Sequence, residues 1–228
     1  MEELFDKSLE YDEMLNQGLS LSGEDKFFFI HGRLNDLAKN IPAKQTLNSI
    51  LDFGCGIGDA TILLKQYFPF TKEITGTDTA ATALEFARKQ NSNEGKITYT
   101  EIKDFKEKNK FDLCYVNGVF HHIPLEQRSE AVTMIYDALK PGGLLALFEN
   151  NPLNPGTKLV MSRIPFDKDA ITLTHWETRK MLTDAGFKVK IKPRFLFYFP
   201  KALQSFRRLE KLLIHFPLGA QYYLLVEK

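Results

Sequence analysis

The segment Leu51-Asp52-Phe53-Gly54-Cys55-Gly56-Ile57-Gly58-Asp59 constrains the fold of this chain more than any other. An apolar run, Ser49-Ile50-Leu51, leads into it, and a helical pattern follows over Ala60 to Tyr67. Between them, glycine alternates with other residues from Gly54 to Gly58. Glycines at a strand-to-helix junction open backbone conformations closed to other residues and bring bare N–H groups against a ligand. In an open α/β sheet that ligand binds beyond the carboxyl ends of the strands. A dinucleotide fingerprint requires the spacing G-x-G-x-x-G. Here the third glycine falls one residue early, at Gly58, and Asp59 occupies the sixth position. A carboxylate there would repel a pyrophosphate. The spacing favours a nucleotide-like ligand without phosphates.

The rest of the chain alternates strand and helix patterns, which argues for a parallel sheet with crossover helices. Strands are expected at about 49–54, 73–78, 96–101, 111–116, 144–149, 187–198 and 219–226. Helices are expected at about 59–67, 80–90, 126–139, 174–185 and 201–215. Lys140-Pro141-Gly142-Gly143 should stop the third of these and turn into the fifth strand. Residues 1–48 read as a helical cap, with Phe27-Phe28-Phe29-Ile30, Leu34 and Leu37 on a buried face. Residues 49–228 read as one α/β domain, and 151–173 as a loop-like insertion within it.

Composition sets further limits. Of 228 residues 43% are apolar, enough for a full core. Thirty basic side chains against 29 acidic ones argue against a broad electrostatic footprint for nucleic acid. Cys55 and Cys114 have no C-x-x-C partners, so no metal is assigned from spacing. Reduced thiols and an acidic start without signal-peptide character point to the cytoplasm. No apolar run reaches the roughly 18 residues of a spanning helix. Lys201–His215 is basic and amphipathic. It would either pack its apolar face on the domain, the preferred reading, or touch a membrane surface.

Asp78 ends the second strand, about 20 residues past the glycines. A carboxylate there suits a ribose diol, the preferred reading; Asp78 or Thr79 could also cap the helix that follows, and the two roles are compatible. Phe111-Asp112-Leu113, Asn117-Gly118-Val119-Phe120-His121-His122-Ile123 and Leu139-Lys140-Pro141-Gly142-Gly143 follow in order. Together with the glycine segment these blocks resemble the class I S-adenosylmethionine-dependent methyltransferases over about residues 49–150. That resemblance implies a doubly wound, seven-stranded, mostly parallel sheet in the order 3-2-1-4-5-7-6. The last strand would be antiparallel, with helices on both faces. Segments beyond 150, among them Pro165-Phe166-Asp167-Lys168-Asp169-Ala170 and Pro217-Leu218-Gly219-Ala220-Gln221-Tyr222, are similar to small bacterial methyltransferases associated with glycan or secondary-metabolite assembly.

By the same resemblance, Gly54, Cys55, Gly56 and Gly58 would line the methionine part of S-adenosylmethionine. Asp52 would orient its amino group and Asp78 its ribose. Thr79 and the stretch from Ile102 to Asp104 would flank the adenine. Asn117 and Gly118 would pass near the sulfonium. The product would be S-adenosylhomocysteine.

Methyl transfer from a sulfonium is an in-line displacement, so the protein mainly positions two reactants. A protonated acceptor atom may also need a base. His121 is the first candidate, because adjacent side chains of an extended segment point opposite ways and one histidine would face the site. Its bland alternative is packing near the cofactor. Glu149 is the second candidate; otherwise it orders the next loop. Asn150-Asn151-Pro152-Leu153 faintly resembles an amino-methylation box, but follows the wrong strand, and no role is carried over.

The long loop 151–173 offers Arg163, Lys168 and Asp169 as acceptor contacts or solvated charges, and the cap offers Tyr11, His31 and Arg33. The expected acceptor is a small molecule or glycan-type intermediate, methylated at oxygen or nitrogen. Alternatives are a protein or nucleic-acid acceptor, or a binding module without turnover.

Overall fold

A computed structural model describes residues 18–91 and 95–228. Tyr11, with the rest of residues 1–17, lies outside the described residues. Among the described residues, eight strands form one sheet: β1 (Ser49–Phe53), β2 (Glu73–Asp78), β3 (Ile97–Glu101), β4 (Phe111–Asn117), β5 (Leu139–Asn150), β6 (Lys188–Val189), β7 (Arg194–Leu196) and β8 (Gln221–Glu227). The order is β3-β2-β1-β4-β5-β8-β6, with β7 also on β8. Strands β1 to β5 pair in parallel and β8 runs antiparallel to β5. This is the mostly parallel, doubly wound sheet expected. The expected sixth strand is split into β6 and β7. Pro193 precedes β7, and a proline has no N–H for the ladder.

Alternation along the central strands sorts the core into two layers. Leu51, Phe53, Cys114, Val116, Leu145 and Leu147 face α4 (Leu125–Ala138) and α6 (His175–Asp184). Ile50, Leu113, Tyr115, Leu144, Ala146 and Phe148 face α1 (Lys26–Asn40) and α2 (Asp59–Tyr67). Period-two patterning with both faces buried is the signature of a sheet covered on both sides. The helix α3 (Ala81–Gln90) packs Leu84 and Ala87 on Tyr99 of β3.

Three departures from expectation have local causes. Pro141-Gly142-Gly143 does not separate helix from strand, because β5 already begins at Leu139. Leu139 pairs with Phe111 and Leu144 with Leu113, so the intervening residues bulge outward. The bulge is closed by Gly142 N–H donating to the carbonyl of Lys228, and by Lys228 N–H donating to that of Gly143.

Second, residues 151–173 hold α5 (Pro155–Met161) and a 3₁₀ turn, Pro165–Asp167. Asn154 caps α5 by accepting from Thr157 N–H at 2.9 Å, and Pro155 sits in its first turn, where no N–H is needed. Third, 201–215 is not one α-helix. It is a 3₁₀ segment, Lys201–Leu209, kinked at Leu203, followed by the single turn α7 (Glu210–Leu213). Its apolar face packs only in part on the domain: Ile214 meets the core and Phe206 meets Phe199, while Leu203, Leu209 and Leu212 are exposed.

Part of the cap belongs to the core. Ile30, Leu34 and Leu37 of α1 join the layer under β1, β4 and β5. Asp36 is clamped by Arg194 through two 2.7 Å hydrogen bonds and accepts one from the Tyr223 hydroxyl.

Candidate active site

The glycine turn is held by β2. Gly54 and Cys55 N–H both donate to the carbonyl of Thr77, and Gly56 N–H donates to Asp78 Oδ2 at 2.8 Å. Gly54, Gly56 and Gly58 all have positive φ, in the region costly for residues with a Cβ. A Cβ on Gly56 would meet nothing within 4 Å, so its backbone stands open to a ligand. A Cβ on Gly58 would lie 2.5 Å from the Tyr99 hydroxyl. Gly58 therefore serves the packing of α2 on β3 and lines neither cavity described below.

Two cavities meet at this turn. A first cleft of about 570 Å³ contains Asp78, Thr79, Ala80 and Ile102, with Gln127 and Met134 of α4 on its other wall. A second cavity of about 490 Å³ is lined by Asp52, Cys55, Tyr115, the cap, α5 and residues 197–200. Gly54, Gly56, Ile57, Asn117, Gly118 and His122 border both. Asn117 Oδ1 at this junction is buried and has no hydrogen-bond partner. A buried orphan acceptor at the end of a central strand is the kind of group a ligand satisfies.

The carboxylates here are poorly solvated. Burial raises the Asp52 pKa to about 7, opposed by a 2.6 Å hydrogen bond from Thr61, and Asp78 adds to the rise. Burial also raises the Asp78 pKa, against hydrogen bonds from Ala80 and Gly56 N–H. Asp78 is not the N-cap of α3, where Ala80 stands without a side-chain cap. It ties the glycine turn to the end of β2. Cys55 and Cys114 are buried thiols whose pKa burial raises, and neither suits a nucleophile.

Phe120–His122 form a 3₁₀ turn rather than an extended segment. The two imidazoles consequently lie 4.1 Å apart, and both border the second cavity. His121 Nδ1 sits 2.5 Å from Glu149 Oε2, while Glu149 Oε1 accepts from Phe120 N–H at 2.8 Å. On the other side His121 Nε2 is 3.7 Å and His122 Nε2 is 3.4 Å from Asp167 Oδ1. Burial alone would lower the His121 pKa; the flanking Glu149 and Asp167 outweigh it and raise it to about 9. Burial and the neighbouring His121 lower that of His122 to about 3. Glu149 lies behind His121 and reaches neither cavity. Among the described residues, His121, His122 and Asp167 are the group with metal-compatible spacing, their ligand atoms within 4.8 Å of one another.

Other expected contacts are redistributed. Asp104 is exposed and outside both cavities. Arg163, Lys168 and Asp169 point to solvent, and the loop presents Asp167 instead. His31 is exposed and pairs with the Tyr67 hydroxyl. Arg33 is buried, donates to the Tyr115 hydroxyl and Gln221, and lines the second cavity. Lys26 bridges to Asp59 at 2.6 Å and ties the cap to α2. Sequence spacing carried no signal for Tyr115, Asp167 or Gln221, which converge only through the fold.

A glycine turn, an acidic residue ending β2 and this strand order define the class I methyltransferase fold. The comparisons agree. Residues 50–143 match the family model of the methyltransferase domain. Over 128 residues the chain is 34% identical to trans-aconitate 2-methyltransferase of Agrobacterium fabrum, covering 55% of this chain and 47% of that protein. It is 30% identical over 115 residues to demethylmenaquinone methyltransferase of Lactiplantibacillus plantarum, covering 45% of each. Its fold is similar to that of a methyltransferase from Thermotoga maritima described as a possible histamine N-methyltransferase. The TM-score is 0.65 at 16% identity, over 96% of this chain and 99% of that one. Residues 50–143 thus resemble a methyltransferase domain, and the sheet has the fold of S-adenosylmethionine-dependent methyltransferases. It spans about half the length of the curated relatives it matches first.

Proposed function

We propose that this chain transfers a methyl group from S-adenosylmethionine to an oxygen or nitrogen of an apolar small molecule. The observation that carries this reading is the meeting of two cavities at Asn117, Gly118 and His122, one lined by the buried Asp78 and the other by the buried Asp52 and a set of aromatic side chains. When bound, S-adenosylmethionine supplies an activated methyl on a sulfonium. Its two positive centres, the sulfonium and the ammonium, suit a site that buries Asp52 and Asp78. Asp78 accepts one N–H on each oxygen and keeps lone pairs for the ribose diol. Asp52 takes the ammonium, and the buried Arg33 takes the carboxylate of the methionine part. The bare backbone of Gly56 admits the chain between them.

The second cavity receives the methionine part of the cofactor at Asp52 and Arg33, and the acceptor beyond it. Phe28, Phe29, Tyr115, Phe197, Tyr198 and Phe199 give it aromatic walls. Its lysine and one arginine are ion-paired, Lys26 with Asp59 and Arg207 with Glu24, and Arg33, which donates to Tyr115 and Gln221, is taken up by the cofactor's carboxylate. Such a lining suits an apolar ring or chain better than a polycarboxylate. Because His121 is held as an imidazolium near neutral pH, it positions rather than accepts. Asp167 takes the hydrogen bond of an acceptor hydroxyl or amine, and its proton as the methyl arrives. Glu149 holds His121, and His121 holds Asp167.

The test is release of S-adenosylhomocysteine across a panel of phenolic, isoprenoid and aromatic-amine acceptors, with trans-aconitate as the contrasting acid. Turnover confined to polycarboxylates would overturn the acceptor assignment. The pH profile separates the two roles of His121. Positioning predicts a kcat that does not climb between pH 7 and 9, whereas a base with a pKa of about 9 predicts a steady rise.

A further inference from the structure

The segment after β7 leaves an apolar surface uncovered beside the second cavity. Leu203, Phe206, Leu209, Phe216 and Leu218 are exposed, and Leu212 is 82% exposed. Single exposed apolar residues are ordinary, but a contiguous set on one short segment marks a binding surface. This one is firmly placed. The Tyr198 hydroxyl lies 2.5 Å from the carbonyl oxygens of Leu213 and Phe216, and Glu210 accepts from Tyr198 and Phe199 N–H at 3.0 Å each.

The charges of the segment are one-sided. Lys201, Arg208 and Lys211 are exposed. Glu210, the only acidic residue from 201 to 218, is turned inward by those two backbone contacts. The surface also continues into the cavity. Phe206 packs on Phe199, with ring centroids 5.9 Å apart, and Phe199, Pro200 and Arg207 line the wall. Leu159, half exposed on α5, lines the same cavity.

We infer that residues 201–218 dock on an anionic lipid bilayer, so that the acceptor enters the aromatic cavity from the membrane surface. The inference rests on the reading of that cavity as the acceptor site. Apolar side chains flanked by cations are the chemistry by which an amphipathic segment lies in a lipid interface. Anionic headgroups complement the three exposed cations, whereas a second copy of this segment would oppose like charges. A lipophilic acceptor loaded from the interface never has to cross water, which accounts for an apolar collar around an apolar cavity.

Sedimentation of the full chain with vesicles tests this. Vesicles of phosphatidylcholine with phosphatidylglycerol should carry the protein down, and pure phosphatidylcholine vesicles should carry far less. Neutralising Arg208 and Lys211 (R208Q, K211Q) should weaken partition about fivefold for each cation removed. Phe206→Asp with Leu212→Asp should weaken it about tenfold or more. Calorimetry with S-adenosylmethionine should show unchanged cofactor affinity in both double variants, which establishes that they fold. A wild-type protein that stays in solution with anionic vesicles overturns the inference. So does undiminished partition of the F206D/L212D variant. A vesicle-independent dimer in light scattering that F206D/L212D splits would mean that a second copy covers the surface, and would equally overturn it. Failure of S-adenosylmethionine binding with vesicle binding intact would instead strike the methyl-transfer reading alone.

Discussion

The two cavities that meet at Asn117 are built by different means. The cleft at Asp78 is floored by backbone from three strand ends, the turn after β1, the end of β2 and the end of β4, and walled by α4. Its key contacts are hydrogen bonds from main-chain N–H to Thr77 and Asp78. The acceptor-side cavity is made by side chains from the cap, α5, a 3₁₀ turn and the segment after β7. Backbone geometry fixes the first independently of its neighbours, and long-range packing assembles the second. A site of the first kind tolerates little change, and one of the second kind can be re-lined by substitution.

Breaking the pivot of the acceptor side should have the largest effect. Glu149→Ala removes the partner of a buried His121 and frees the Phe120 N–H. Leaving a buried charge unpaired should cost about 3–5 kcal/mol, read as a lowered chemical-denaturation midpoint. On the donor side, Asp78→Ala should weaken S-adenosylmethionine binding by about 100-fold. It removes charge-assisted acceptors for Gly56 and Ala80 N–H as well as the proposed ribose contact.

Proton linkage sharpens the contrast with a smaller effect. With a pKa of about 7, Asp52 must lose a proton to meet an ammonium. Affinity should therefore rise with pH, by roughly tenfold from pH 6 to 8, and flatten above. The same titration of Asp52→Asn should be nearly level. The smallest effect is expected at the acceptor rim. Lys168→Ala and Asp169→Ala are solvent-facing changes and should alter kcat/KM by less than about twofold, whereas Asp167→Asn should lower kcat by about 100-fold.

The same contrast explains how much of the fold and the site is legible in the sequence. The glycine turn, Asp78 and the strand order follow from short-range rules, because the spacing of Gly54, Gly56 and Gly58 and the period-two apolar runs carry them directly. The 3₁₀ turn at Phe120–His122 had no such marker, so the two histidines were expected to diverge, and the structure places both at one cavity. Asp167 rather than Asp169 faces inward because Pro165 starts a tight turn two residues earlier. Residues 201–215 have a helical hydrophobic pattern, yet Pro200 and the kink at Leu203 favour 3₁₀ geometry. That pattern described amphipathic character correctly, but only part of its apolar face packs on the domain, with Leu203, Leu209 and Leu212 left exposed. Pro193 likewise divided a strand whose composition was continuous.

The central claim is that the glycine turn and the carboxylates behind it hold a cationic nucleoside without phosphates. Calorimetric titration of the wild-type chain at pH 8 tests it most directly, with S-adenosylmethionine, S-adenosylhomocysteine, NADH and ATP compared under one condition. The account predicts one site per chain for S-adenosylmethionine, competition by S-adenosylhomocysteine, and no measurable heat from NADH or ATP. Absence of S-adenosylmethionine binding, or binding matched by the phosphate-bearing nucleotides, would contradict it.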